Sequence, residues 1–407
     1  MQSGLFTIGI LAYNNYNFIK EAIDSVLNQN YDSIEIIINN DGSKDFNEQE
    51  LFKYICENKK NNIKNIIIHN NEENVGTVKS ANYICKNASG EYFMLMAADD
   101  ALYDQEVFGR YVQEFSKRDE KVLMAKIAMC GLELSDEREY IPSPEMINLL
   151  KSQDNKRIFS RLTHDSFMPT TSTCYKIELL EETGYFDEKY FIIEDASKFI
   201  YLARKGYKFG WIDNFIASRH RDGGVSHGNS RNKSESYRRY RFDELLLFVD
   251  EILPYKEQIL PKDQELMEKK WKYIKGAYYR NFLLNNEGNV EYRDYDKDLC
   301  LPIISEMKKE QRKENIKSLI RTRAETISLK VKLRSVVNIC CLIIFTSFFE
   351  FLDSLFNLTL FGNTTIIKAM FPLMYLCLFV LLAECFLKIS IRVVWDIIKI
   401  YKGLRAK

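Results

Sequence analysis

The stretch Glu91-Tyr92-Phe93-Met94-Leu95-Met96-Ala97-Ala98-Asp99-Asp100 decides how the fold is interpreted. Its apolar run is typical of a buried strand, and the run stops at two adjacent carboxylates. Upstream, the apolar run over residues 34–38 stops in the same way at Asn39-Asn40-Asp41-Gly42-Ser43. The carboxyl ends of parallel strands meet at one edge of a sheet, where ligands bind. Adjacent carboxylates there suit a hard divalent cation bound to phosphate oxygens, so the pattern predicts a site for a metal–nucleotide complex.

Strand-like and helix-like segments alternate along this part of the chain. The apolar runs without helical spacing are residues 6–12, 34–38, 63–69 and 91–96. The segments with apolar residues at helical spacing are 18–29, 48–60 and 77–87. Such alternation predicts parallel βαβ units with right-handed crossovers, and therefore an α/β fold.

Length and composition set outer bounds. The chain has 407 residues, enough for two or three domains, and its 57 basic and 57 acidic residues cancel. No global field therefore attracts it to nucleic acid. The start Met1-Gln2-Ser3-Gly4 leads straight into the first strand, which predicts no secretory signal peptide. The nine cysteines show no metal-ligand spacing, which favours a reduced, cytosolic compartment.

The residue composition changes twice after the strand-rich part of the sequence. We expect a catalytic domain over residues 1–228, a helical extension over 229–334 and an apolar membrane-associated region over 335–407. The charges of the extension are interpreted as solvated helix faces rather than as a basic binding patch. That patch would consist of Arg231, Arg238, Arg239 and Arg241.

Two uncharged apolar runs, residues 336–349 and 369–383, motivate the membrane assignment. Each is shorter than the roughly twenty residues of a spanning helix, so buried core helices are the alternative. The density of Phe, Leu and Ile and a basic tail favour the membrane. That tail contains Arg392, Lys399, Lys402, Arg405 and Lys407. We expect attachment to the cytoplasmic face of a membrane, by spanning it or by lying on its surface.

Seven short motifs of the first 230 residues carry a family resemblance. They are Ala12-Tyr13-Asn14, the helix segment 21–29, the turn 40–45, Asn74-Val75-Gly76 with Asn82, Ser89-Gly90-Glu91-Tyr92, Ala98-Asp99-Asp100, and the segment 184–188 with Glu194-Asp195. In this set and order, the chain from Phe6 to about Ser226 resembles the family 2 glycosyltransferases, inverting enzymes of the GT-A fold. The resemblance implies a transferase that moves a sugar from a UDP- or dTDP-type nucleotide-sugar to an acceptor hydroxyl.

The resemblance also implies roles for individual residues. The nucleotide would contact Ala12, Tyr13, Asn14, Asp41, Lys79 and Asp99. A Mg²⁺ or Mn²⁺ cofactor would bind Asp99 and Asp100, with His220 as a third candidate ligand. Asp195 would be the catalytic base, with Glu194 in an adjacent supporting role. The chain departs from the commoner family pattern at Ala97, which occupies the first acidic position of Asp-x-Asp-Asp, and at Asn40, where many relatives carry Asp.

Each of these residues also has a purely structural interpretation. Asp41 lies in an Asn-Asp-Gly-Ser sequence that would form a tight turn in any case. Glu194 and Asp195 open a predicted helix, whose dipole favours acids in its first turn. Lys79 is as well explained as an exposed lysine. His220 and His227 flank a loop matching the family's closing segment, and His164 with residues 169–172 is expected on the acceptor side.

Competing functions differ in their sequence requirements. A nucleotidyltransferase or a dinucleotide-dependent dehydrogenase would need a glycine-rich loop after a strand, and none is present. A catalytically inactive relative that binds nucleotide or scaffolds a membrane assembly is the alternative, with Ala97 in its favour. The donor sugar and the acceptor are not encoded in any recognisable motif. The tail and the resemblance together favour a lipid-linked glycan acceptor in surface polysaccharide synthesis.

Overall fold

The computed structural model describes residues 2–222, 234–284 and 289–356. The chain divides into two compact units, Met1–Ile303 and Ile304–Lys407. The first unit contains all the strands of the described residues and every candidate site residue that the structure describes.

A nine-stranded sheet forms the centre of the first unit. Its strands are β1 (Gln2–Ala12), β2 (Ile34–Asn40), β3 (Ile63–Asn70), β4 (Gly90–Ala97), β5 (Ala101–Leu102), β6 (Val122–Cys130), β7 (Glu137–Ile141), β8 (Thr173–Lys176) and β9 (Gly210–His220). The strand order is β3-β2-β1-β4-β8-β6-β9-β5, with β7 paired to β6. The first four strands in this order are parallel, as the sequence predicts.

Helices flank the sheet and connect its strands. They are α1 (Ile19–Leu27), α2 (Glu48–Asn58), α3 (Thr77–Asn87), α4 (Val107–Phe115), α5 (Pro144–Lys151), α6 (Asn155–Leu162), α7 (Ile177–Glu182) and α8 (Glu194–Lys205). Three more follow: α9 (Glu235–Leu247), α10 (Pro261–Tyr278) and α11 (Lys297–Phe356). The apolar positions of α1 predicted from its spacing are the buried ones, so its core-facing stripe is confirmed.

The parallel strands are buried on both faces, which explains their continuous apolar runs. Glu35 in β2 is fully buried within such a run. Its carboxylate accepts hydrogen bonds from Thr7 Oγ1 at 2.6 Å, Ser89 N at 2.8 Å and Asn65 Nδ2 at 2.9 Å. A buried charge is tolerated when it is hydrogen-bonded in this way. Glu35 therefore ties β1, β3 and the turn before β4 to β2.

Beyond β4 the sheet becomes mixed. β8 is antiparallel to both β4 and β6, while β9 runs parallel to β6 and antiparallel to β5. In this register Ala101 of β5 lies opposite Arg219 of β9. The end of β9 therefore lies beside the turn that follows β4, which brings His220 to the acidic pair at that turn.

Helices α9 and α10 belong to the first unit. The expectation of solvated charges in this region is wrong for five residues, which are buried: Arg238, Asp243, Asp263, Lys275 and Asp296. Arg238 of α9 is buried, and its Nη2 lies 2.5 Å from Oδ2 of Asp296, which is itself buried. The hydroxyl of Tyr278 donates to the same carboxylate oxygen at 2.7 Å. Arg238 is thus a structural ion pair, and Arg231 of the suggested basic patch lies outside the described residues.

The second unit is described as far as Phe356, within α11. The apolar run 336–349 belongs to this helix, whereas the run 369–383 and the basic tail lie outside the described residues. Over the parts of the chain that the structure describes, no helix combines the length and apolar character needed to cross a membrane.

Candidate active site

The carboxyl ends of β1 and β2 are joined into one surface by short hydrogen bonds. Asp41 N donates to Ala12 O at 2.8 Å, and Asn14 N donates to Ser43 Oγ at 2.9 Å. Asn14 adopts a left-handed conformation (φ 54°), which asparagine tolerates better than most residues. The exposed side chain of Tyr13 lies between these two anchors in the chain. The predicted nucleotide-contacting segment 12–14 is therefore adjacent to the Asp41 turn.

The Asp41 carboxylate holds a neighbouring loop rather than its own turn. It accepts hydrogen bonds from Val75 N at 2.8 Å, Gly76 N at 3.0 Å and Asn71 Nδ2 at 2.9 Å. The tight turn is made instead by Asn40, whose Oδ1 accepts from Ser43 N at 3.2 Å. An ionised carboxylate has about four acceptor positions, so the three donors leave capacity for one more.

Two buried amide atoms beside Asp41 have no hydrogen-bond partner among the described residues. They are Nδ2 of Asn39 and Oδ1 of Asn74. Unpaired buried polar atoms are rare because each costs the desolvation of the group. One donor and one acceptor are therefore available to a ligand at this end of β2.

The acidic pair after β4 has two distinct environments. Asp100 is 1% exposed, and its Oδ1 lies 2.9 Å from Nδ1 of His220 and accepts from Arg221 N at 3.2 Å. Asp99 is partly exposed, and its Oδ1 accepts from Asn15 Nδ2 at 3.2 Å. Burial, and next the charge of Asp100, raise the pKa of Asp99. Burial lowers the pKa of His220, but its hydrogen bond to Asp100 and the charge of that residue outweigh burial, and the net shift is upward.

These residues fit a hard cation that shares its ligands with a diphosphate. Two neighbouring carboxylates that repel one another are stabilised by a divalent charge, and Mg²⁺ takes one or two carboxylates together with phosphate oxygens and water. Asp99 is the more available of the two, because Asp100 is occupied by His220 and Arg221. Across the described residues, no three His, Cys, Asp or Glu side chains form a preassembled ligand cluster. His220 is thus placed as a partner of Asp100.

Arg221 is a site residue that the sequence analysis missed. Its guanidinium is 3% exposed and donates to Asp99 O at 3.1 Å, to Leu132 O, and to Glu21 Oε2 at 2.5 Å. One buried cation thus joins α1, the acidic turn and the loop after β6. Glu21 belongs to the first-helix motif, but nothing local in the sequence marks its partner two hundred positions away.

The candidate base opens α8, as predicted. Asp195 Oδ2 accepts a hydrogen bond from the hydroxyl of Thr170, and Oδ1 accepts from Ala196 N at 2.6 Å. Burial, followed by the charge of Asp195, raises the pKa of Glu194 well above its ordinary range. The two adjacent acids thus have different surroundings: burial disfavours the ionised form of Glu194, whereas the Asp195 carboxylate accepts two hydrogen bonds.

A second carboxylate orders the chain that leads into α8. Oδ2 of Asp243, in α9, accepts hydrogen bonds from the backbone N–H groups of Phe191 at 2.9 Å, Ile192 at 2.6 Å and Ile193 at 3.3 Å. Burial raises the pKa of Asp243 to about 6, against the lowering effect of these three donors. The position of the base thus depends on a helix outside the strand-rich part of the chain.

A small cavity of about 70 Å³ lies against Asp195. One side of it comes from α8, and the other from α9 and α10. Its polar lining includes Ser166, Tyr240, Glu244 and Lys270 in addition to the base. The helices after residue 234 therefore contribute directly to the surroundings of the candidate catalytic carboxylate.

Three other predicted residues lie apart from these groups or outside the described chain. Lys79 is exposed in the first turn of α3. The His164 side chain is 8% exposed, and its Nε2 lies 3.4 Å from Oδ1 of Asp263 in α10. His227, with the rest of the loop after Asp222, lies outside the described residues. Of the expected acceptor-side segment, Thr170 does reach the base.

Asn82, a motif residue, proves to be a structural tie. Its side chain donates to Phe186 O at 2.9 Å and accepts from Phe186 N at 2.9 Å, and it also donates to Glu188 Oε1 at 2.9 Å. Two motifs separated by 104 positions are thus bonded to each other. The segment that precedes the base is held to α3 by this pair.

Sequence comparison finds a family match over part of the chain. Residues 7–184 match the family described as glycosyl transferase family 2. An uncharacterized glycosyltransferase of Rickettsia typhi is 37% identical over 141 residues, covering 34% of this chain and 39% of the relative. The glycosyltransferase GlyA of Streptococcus pneumoniae is 27% identical over 222 residues, covering 50% of this chain and 30% of the relative. The chain thus spans well under two thirds of the length of either relative.

Solved structures show a weaker similarity. S. aureus TarS 1–349 in complex with UDP-GlcNAc is 19% identical, with a TM-score of 0.43, covering 67% of this chain and 81% of that one. The mannosyltransferase PcManGT from Pyrobaculum calidifontis, in complex with GDP-Man and Mn²⁺, is 15% identical, with a TM-score of 0.44, covering 68% and 71%.

A mixed sheet flanked by helices, with polar strand ends gathered at one edge, is an architecture of the GT-A class. The match over residues 7–184 is to glycosyl transferase family 2, the family that the motifs resemble. The expected family resemblance is confirmed over residues 7–184, and the expected fold class is confirmed as well.

Proposed function

We propose that this protein transfers a sugar from a UDP- or dTDP-sugar to an acceptor hydroxyl with inversion at the anomeric carbon. The observation that carries the proposal is the environment of Asp195. This carboxylate opens α8 beside a cavity, accepts a hydrogen bond from the Thr170 hydroxyl, and is adjacent to Glu194, whose pKa is raised by burial. Neighbouring acids whose environments differ in this way are typical of acid–base sites.

The nucleotide would lie over the ends of β1 and β2. A uracil or thymine ring presents both an N–H donor and carbonyl acceptors. Asp41 and the unpaired atoms of Asn39 and Asn74 offer complementary groups. Residues 12–14 are hydrogen-bonded to the Asp41 turn and would contact the nucleotide from a second side.

The diphosphate would lie near the acidic turn after β4. A Mg²⁺ or Mn²⁺ bound there, principally through Asp99, would neutralise the charge of the leaving group. Asp100 supports this arrangement through His220 and the Arg221 backbone rather than by direct ligation.

The transfer itself would be a single in-line displacement. The acceptor oxygen forms a bond to the anomeric carbon while its proton passes to the Asp195 carboxylate. The bond between the anomeric carbon and the diphosphate oxygen breaks on the opposite face, and the nucleoside diphosphate leaves. One base is sufficient for inversion, and no covalent intermediate is formed.

The apolar C-terminal part of the sequence is the basis for proposing an acceptor and a cellular location. A cytoplasmic-face, membrane-associated enzyme of this family would suit a lipid-linked glycan acceptor in cell-surface polysaccharide synthesis. The run 336–349 and the basic tail are the sequence features that support this placement.

The direct test is nucleotide release from a panel of UDP-, dTDP- and GDP-sugars, with Mg²⁺ or Mn²⁺ and without. We expect slow, metal-stimulated release of UDP or dTDP from one donor, because water replaces the missing acceptor. Asp195→Asn should bind that donor but release little nucleotide. A protein that binds no nucleotide, or an Asp195→Asn variant as active as the parent, would overturn the proposal.

A further inference from the structure

A second cavity lies on the other side of α8 from the candidate base. It has a volume of about 400 Å³ and is bounded by α3, the segment 183–190 and one face of α8. That face presents Ser197, Lys198 and Tyr201, whereas Asp195, Ala196 and Phe199 line the smaller cavity. The candidate metal and nucleotide residues are absent from its lining. The larger cavity is thus separate from the proposed catalytic site.

Lys198 brings an unneutralised charge to this cavity. The residue is 4% exposed, and its Nζ donates to Thr183 Oγ1 at 2.9 Å and to Thr183 O at 3.3 Å. Within the described residues, no carboxylate lies within 4.0 Å of this nitrogen. Burial lowers the pKa of Lys198 to about 8. A buried ammonium without a counter-ion is costly, and neither acceptor on Thr183 carries a charge.

The acids in the cavity wall are already paired with other cations. Glu188 lies 3.2 Å from Lys86, and Asp187 lies 3.1 Å from Lys189. Glu251 lies 2.6 Å from Arg204 and also contacts Lys189. Lys189 is shared by Asp187, Glu251 and Asp250. Asp187 acts on Lys198 only from beyond ion-pair distance, so no acid of the wall contacts this ammonium directly.

Tyr190 adds a second group without a partner. Its side chain is 2% exposed and lines the cavity, and its hydroxyl has no hydrogen-bond partner among the described residues. A phenolic hydroxyl is a good donor to an anionic oxygen. The Lys198 nitrogen lies over the rings of Tyr201 and Phe186, 5.6 and 5.9 Å from their centroids, in cation–π contacts that carry no net negative charge.

We propose that this cavity binds a small anion of the carboxylate or phosphate class, held by the Lys198 ammonium and the Tyr190 hydroxyl. Such a ligand supplies the missing counter-charge and accepts the unused hydroxyl proton. Lys198 belongs to α8, and Tyr190 lies just before residues 191–193, which lead into that helix. An anion bound by both side chains would therefore hold α8 to the chain around Tyr190.

The probes are sulfate and acetate, titrated into the full-length protein against chloride at constant ionic strength. We expect a saturable rise in Tm with at least one of them, because ligands that bind only the folded state stabilise it. Lys198→Met should weaken the apparent affinity at least about tenfold. Tyr190→Phe should weaken it several-fold. The matched control is Lys205→Met, an exposed lysine of the same helix, which should respond as the parent does.

The two anions separate the ligand classes. A response to acetate alone identifies a carboxylate site, and a response to sulfate alone identifies a phosphate-type site. In the absence of either anion, Lys198→Met should melt above the parent, because it removes a buried charge that has no counter-ion. If the anions raised the Tm of the parent and of Lys198→Met equally, the effect would be general salt stabilisation and the proposal would be wrong. No rise in Tm, or a rise that does not saturate, would also overturn it.

Discussion

His220 Nδ1 lies 2.9 Å from Oδ1 of Asp100, although the two residues are 120 positions apart. The contact joins the last residue of β9 to the turn after β4. Because His220 occupies the Asp100 carboxylate, the neighbouring Asp99 has more oxygen positions available to a cation. The structure thus differentiates two adjacent acids that the sequence presents as equivalent.

We therefore expect Asp99→Asn to weaken metal-dependent UDP binding at least about tenfold, or about 1.4 kcal/mol. The amide keeps the shape of the side chain but removes its charge, so the fold should survive. Calorimetric titration of UDP with Mn²⁺ and with a chelator measures the effect. Asp119→Asn, at an exposed acid, is the control. The metal assignment would be contradicted if the parent bound UDP equally well with and without chelator. The Asp99→Asn/Asp100→Asn double variant would then show the same UDP affinity as the parent.

Asp195→Asn should lower turnover by about two to four orders of magnitude and leave donor binding within a few-fold of the parent. Thr170→Val should lower kcat about tenfold without a matching change in the donor KM, because the hydroxyl orients the carboxylate. Thr170→Ser keeps the hydroxyl and should restore most of the rate. Steady-state kinetics with the identified donor measures all three. If the serine variant is as slow as the valine variant, the hydroxyl has no positioning role.

Asn82→Ala should lower the free energy of unfolding by about 2–3 kcal/mol, because it leaves the buried N–H and C=O of Phe186 without partners. Denaturant unfolding measures the loss. Asn87→Ala, on the exposed face of the same helix, should change stability far less. Equal losses in the two variants would show that the tie between the motifs contributes little.

Stability should depend on pH through Asp243. Its pKa is raised from 3.8 to about 6 in the folded protein, so the stability contributed by its protonated form is complete below about pH 4. That contribution is lost as the pH rises through about 6. Relative to Asp243→Asn, the parent should lose up to about 3 kcal/mol over this range. Urea titrations of both proteins, with Asp32→Asn as an exposed control, measure the difference. Parallel pH profiles for the parent and Asp243→Asn would contradict the assignment.

Truncation after Arg334 tests the membrane proposal. It removes both apolar runs and leaves every matched motif intact. We expect the shortened chain to be soluble without detergent and to bind nucleotide-sugar, whereas the full chain sediments with membranes. Release by high salt or alkali would indicate an interfacial hairpin, because spanning helices resist both. A soluble full chain with a misfolded truncation would show that these helices belong to a soluble core.

The parallel half of the fold could be predicted from local patterns. The spacing in 18–29 and the apolar run at 91–96 report burial directly, and the helix at Glu194 was predicted with its correct start. The mixed half could not be predicted, because β8 and β9 pair with strands distant in sequence. No local pattern encodes which strand becomes a neighbour.

The same distinction applies to the site. Asp41, Asp99 and Asp195 are predicted as site residues from short motifs at the ends of elements. Arg221 was missed because its function consists of contacts with Glu21, Asp99 and Leu132, which come together only in the folded chain. Arg238 was misinterpreted for the same reason, since its partner Asp296 lies 58 positions away.

The position of β9 also defines what an exchangeable module of this chain would be. The recognisable family segment ends at residue 184, but β9 follows it and fills the gap between β6 and β5. A chimera cut at the end of the family match would expose the edges of both strands and discard His220, Arg221 and α8. Grafts and domain swaps between relatives should therefore carry the chain through Ile303, where the first compact unit ends. The structural unit that can be exchanged therefore extends beyond the segment that matches the family.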